Sequence, residues 1–99
     1  MAVAAPPLET IVLALTGECE DWRPLLDEEL ASLSGRPVRL VLDLSAAQPV
    51  DATALGGLVL AQKRLRRAGG ELALVSDHAE PLELLHRTGL DRVLDVTVR

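Results

Sequence analysis

The chain has 99 residues, 48% of them apolar, and a formal net charge of -5. This length supports one domain with a single modest core, and the apolar fraction excludes a disordered chain. The acidic balance, with one Trp, no Phe and no Tyr, excludes base-stacking nucleic-acid recognition and argues against an anionic membrane surface as partner.

Residues 1–9 read as a short N-terminal arm, because Met1 to Pro7 are small and apolar and Pro6-Pro7 block regular pairing. The domain proper is expected over 10–99. Thr10 to Leu15 predicts a strand buried on both faces, since alternation is weak. Gly17 ends it, and Glu18 to Asp21 form an acidic turn. Trp22, Leu25, Leu26, Leu30 and Leu33 follow helical spacing, with Asp21 as expected N-cap and Pro24 in the first turn. Gly35 and Pro37 close this helix, and Val38 to Leu44 form the second strand.

A polar loop then leads to Asp51 and Thr53, expected in the first turn of a second helix. Its inner face is Leu55, Leu58, Val59, Gln62 and Leu65, and it ends near Ala68 before Gly69-Gly70. Lys63, Arg64, Arg66 and Arg67 cluster at that end, where cations suit the helix dipole. Leu72 to Val75 predict a third strand. A short helix begins at Pro81, with Asp77 and Glu80 as capping residues, and stops at Gly89. Val93 to Val98 predict the last strand. The alternation of strands and helices predicts one α/β domain, with a mixed sheet of four to five strands and helices packed against it.

The residues offer little catalytic chemistry, and the chain is expected not to be an enzyme. His78 and His86 have no Cys or carboxylate at metal-ligand spacing, neither glycine pair matches a phosphate loop, and no cofactor is implied. Cys19 is the only cysteine and cannot form an internal disulfide, which suits a reducing cytosol. No basic residue precedes Arg23, and no apolar run approaches the roughly 18 residues of a membrane span, so a cytoplasmic location without membrane insertion is expected. Thr53 has two readings: a cap, worth about 1 kcal/mol, or a hydroxyl at a helix start, where a phosphate can sit.

Gly17-Glu18, Val41 to Ser45, Val50 to Gly56, Gly69 to Leu72 and Thr88 to Asp91 occur in an order and at intervals that resemble the STAS domain of bacterial anti-sigma factor antagonists. The resemblance spans roughly Ile11 to Val98. It implies a protein-binding switch in transcription regulation. The partner it implies is a serine/threonine kinase of histidine-kinase-like ATPase fold, which in the family is itself the anti-sigma factor. The family's Asp-Ser-Ser-Gly-Leu-Gly pattern opens the second helix, and its second hydroxyl is phosphorylated by that kinase. Matched by position, the phosphoacceptor is Thr53, with Glu20, Asp43, Asp51, Ala52, Thr53, Ala54, Leu55 and Gly56 as partner-binding positions. Ala52 and Ala54 depart from the pattern, and Ala54 is expected to add a methyl at the contact surface. An alternative implied by the fold is an accessory subunit docking on the ATPase of a lipid-transport ABC complex. That branch carries its Thr one position earlier, where this chain has Ala52.

Overall fold

The computed structural model describes residues 8–33, 35–47 and 50–99. The elements run β1 (Glu9–Gly17), α1 (Cys19–Ser32), β2 (Val38–Ala47), α2 (Ala52–Arg67), β3 (Glu71–Ser76), α3 (Glu80–Thr88), a 3-10 turn (Leu90–Arg92) and β4 (Val96–Val98). The expected arm lies, for residues 1–7, outside the described residues, and Glu9 belongs to β1.

The domain is α/β as expected. Among the described residues four strands stand in the order β1-β2-β3-β4, and all three neighbouring pairs are parallel. Each crossover contains a helix, which returns the chain to run in the same direction. The order steps one way across the sheet, so right-handed crossovers place the three helices on one face. Burial follows: Val38, Leu40, Leu42 and Leu44 of β2 lie at 1% exposure or less, while Arg39, Val41, Asp43 and Ser45 between them stay partly open.

β1 departs from the expected doubly buried strand. Among the described residues it is an edge with one covered face, with Val12 66% exposed and Leu15 buried. The core is aliphatic apart from Trp22, which α1 buries completely together with Leu26. Leu25, expected on the inner stripe, is instead 55% exposed.

α1 starts at Cys19, earlier than expected, with Glu18 as its N-cap. Asp21 reaches back from the first turn, its Oδ2 accepting the Glu18 N–H at 3.2 Å. Pro24 therefore sits inside the helix, where it lacks the N–H that would bond the Glu20 carbonyl. α3 begins after Ala79, and no side chain caps it, so Asp77 does not take the expected role. The last strand starts late because the Val93 and Leu94 N–H groups fold back onto the Leu90 carbonyl, at 2.9 and 2.8 Å. His86 Nδ1 lies 2.9 Å from Asp91 Oδ2 and ties α3 to that turn.

Gly70 lets α2 return closely to β2. A Cβ there would collide with the Val38 carbonyl and lie 2.9 Å from the Val38 nitrogen.

Candidate functional site

The site forms where β1 passes into α1 and β2 into α2, at the carboxyl edge of a parallel sheet, where open α/β folds gather ligands. Gly17 makes the first turn with φ +81, a conformation favourable only to glycine, and a Cβ there would stand 2.9 Å from Asp21 Oδ2.

The second turn is set by Asp51. Its extended backbone (φ -107, ψ -175) makes it the N-cap of α2, and its Oδ1 accepts the Ala54 N–H at 2.9 Å. The Leu55 N–H bonds the Asp51 carbonyl, also at 2.9 Å. The expectation that Asp51 lies within the first turn shifts by one place, and the capping reading of Thr53 falls. A capping side chain must reach forward from extended backbone to an orphan N–H, and Asp51 fills that place. Thr53 is the second helical residue, is exposed, and makes no side-chain hydrogen bond among the described residues.

Thr53 and Asp51 line an open cleft of about 490 Å³ with Glu18, Cys19, Glu20 and Arg23 of the facing turn. Of the expected partner-binding residues, Glu20, Asp51 and Thr53 are therefore brought together. Ala52 and Gly56 lie exposed beside them on α2. Gly56 has open space where a Cβ would be, so the fold itself does not require a glycine there.

Ala54 and Leu55 are placed differently. Both are 0% exposed and belong to the core. The expected methyl at the contact surface points inward, because positions 54 and 55 share the helix face of Leu58 and Leu65.

Asp43 is not in the cleft. It alternates with the buried Leu42 and Leu44 and so faces the side of the sheet opposite the described helices. There the Ser45 hydroxyl, the Ser45 backbone N–H (2.9 Å) and the Arg99 guanidinium (3.6 Å) hold its carboxyl below the usual carboxylate range.

The cleft thus carries three carboxylates and one cation. Arg23 Nε stands 3.8 Å from Asp27 Oδ1, and its guanidinium passes close over Gly57, where a Cβ would lie 2.8 Å from Nη1. Arg23 and Cys19 are cleft residues that were not among the expected site residues. Their signal is helical spacing, since Arg23 lies one turn beyond both Cys19 and Glu20 at the start of α1. Among the described residues no group of three or more His, Cys, Asp or Glu side chains could hold a metal ion, and no helix is long and apolar enough to cross a membrane.

A family model described as the STAS domain matches residues 7–99. A solved structure, the NMR structure of the protein TM1081, is similar with a TM-score of 0.68 and 24% sequence identity, covering 90% of this chain and 74% of that one. At that identity the likeness concerns the fold. No curated protein matches the chain.

Proposed function

The chain belongs to the STAS domain family, a family of protein-interaction domains, and from that premise we propose that it is an anti-sigma factor antagonist switched by phosphorylation of Thr53. In this reading the unmodified domain binds a serine/threonine kinase of histidine-kinase-like ATPase fold that also serves as anti-sigma factor. Binding frees the sigma factor. The protein is a substrate and ligand of that kinase in the cytoplasm, not an enzyme.

The observation that carries the reading is the division of labour between Asp51 and Thr53. Asp51 caps α2, so the Thr53 hydroxyl is exposed and uncommitted at the start of a helix. Its oxygen can attack the γ-phosphorus of ATP, forming the O–P bond as the bond to ADP breaks, with the hydroxyl proton taken by a base of the kinase.

The added phosphate brings about -1.5 to -2 charges. The helix N-terminus tolerates that charge locally, while Glu18, Glu20 and Asp51 around the cleft repel it. A partner surface fitted to a neutral hydroxyl is repelled too, so release needs no change of fold. Incubation with the cognate kinase and ATP, followed by peptide mass spectrometry, is the test. Phosphate on Thr53, absent in Thr53→Ala, is expected; an unmodified Thr53 overturns the proposal.

A further inference from the structure

The outward side of α2 runs on from Thr53 through Gly56, Leu60, Lys63 and Arg67, spaced by three and four residues and all exposed. Between this ridge and α1 lies a groove of about 290 Å³. Its floor is the buried Leu30, Gly57 and Ala61, and its rim is Arg23, Lys63, Arg64 and Arg67. Leu60, 54% exposed, stands among the cations.

Among the described residues Asp27 is the one carboxylate lining the groove, and Arg23 is near it at 3.8 Å. Lys63, Arg64 and Arg67 have no ion pair among the described residues. The hollow at the far end adds Arg36, whose guanidinium is paired with Glu9 at 3.4 Å, so among the described residues the unpaired cations of the rim are those of α2. This concentration of cations occurs in a chain of net charge -5. Complementing the α2 dipole accounts for the last-turn cations. It does not account for Arg23, near the start of α1, or for an exposed leucine between the charges.

We propose that this groove docks an acidic amphipathic helix of a partner protein, with apolar residues on Leu60 and Leu30 and carboxylates against Arg23, Lys63, Arg64 and Arg67. The groove runs from Gly57 to Arg67, about 15 Å of helix, or roughly three turns. An apolar floor with a charged rim is the surface that an amphipathic helix recognises. A nucleic acid or an anionic membrane fits less well, because the chain as a whole has a net charge of -5 and no aromatic side chain lines the groove for stacking. The inference does not depend on phosphorylation of Thr53.

The test is amide-shift mapping of the isotope-labelled chain with a synthetic amphipathic helix of about 15 residues, with Glu on its polar face and Leu on the other. Shifts confined to the α1–α2 groove are expected. Affinity is expected to fall at least roughly tenfold in Arg64→Glu/Arg67→Glu and to fall in Leu60→Ser. All three positions are exposed, and an unchanged circular dichroism spectrum checks the fold. The same peptide with Lys in place of Glu is expected not to bind. Equal binding of the Lys peptide, shifts outside the groove, or unaltered affinity in both variants overturns the proposal. So does tighter occupation of the groove by phosphatidylglycerol vesicles or by duplex DNA.

Discussion

The Asp51 carboxylate holds the Ala54 N–H at 2.9 Å, and this bond spans Thr53 without involving it. The stabilising and the chemical roles at the start of α2 are thus carried by different residues. Asp51→Ala is expected to lower stability by about 1 kcal/mol, and Thr53→Ala to change it by less than about 0.5 kcal/mol. Urea denaturation of the two variants checks this. A larger loss for Thr53→Ala would return the capping role to the threonine.

Two glycines are expected to respond to alanine in opposite directions. At Gly70 a Cβ meets the backbone of Val38, which cannot move without disturbing β2. Gly70→Ala is expected to cost about 1–3 kcal/mol. At Gly56 the space is open and the position is helical. Gly56→Ala is expected to raise stability by up to about 1 kcal/mol and to weaken the kinase complex, because the added methyl stands on the exposed face of α2 beside Thr53. Melting temperatures and a pull-down with the kinase separate the two effects.

Trp22 is fully buried, and its indole N–H has no hydrogen-bond partner among the described residues. Trp22→Ala is expected to cost about 3–5 kcal/mol through the cavity it leaves. Trp22→Phe is expected to cost clearly less than Trp22→Ala, because it keeps most of the packing and removes a donor that is costly to bury unpaired. Chemical denaturation followed by circular dichroism measures both.

Asp43 gives the stability a defined acid dependence. Its folded carboxyl titrates below the ordinary value because the Ser45 hydroxyl, the Ser45 N–H and Arg99 favour the charged form. A depressed folded value means that the stabilisation is fully present above the unfolded value, about 3.9, and is lost as pH falls through the folded one. The stability gap between the chain and Asp43→Asn is therefore expected to be constant from pH 7 to about 5 and to close below about 4. A gap independent of pH down to 2 would contradict the assignment.

Much of this architecture was legible because its signals are local. Val38 to Leu44 announce a strand, and Leu55, Leu58, Gln62 and Leu65 announce the inner face of α2. The ends were less legible because tertiary contacts decide them. Ser45, Ala46 and Ala47 have little strand character of their own, and the register of Ala46 and Ala47 against Thr16 and Gly17 extends β2 over them. Asp21 carries a capping signature, but it acts from inside the helix, where it holds Glu18. In the site, Asp51 and Thr53 could each cap, and only backbone dihedrals separate them. Asp43 was expected beside Thr53 because both follow apolar runs near the sheet edge. The side of β2 that the helices cover decides its place, and the alternation of Val38, Leu40, Leu42 and Leu44 with Arg39 and Asp43 carries that signal, which the acid's position at the strand end obscures.

The account is tested most directly by calorimetric titration of the cognate kinase with the unmodified chain and with the chain phosphorylated on Thr53. The unmodified chain is expected to bind, and the phosphorylated chain to bind at least roughly tenfold more weakly, about 1.4 kcal/mol, with an unchanged circular dichroism spectrum. Equal or tighter binding of the phosphorylated chain would contradict it.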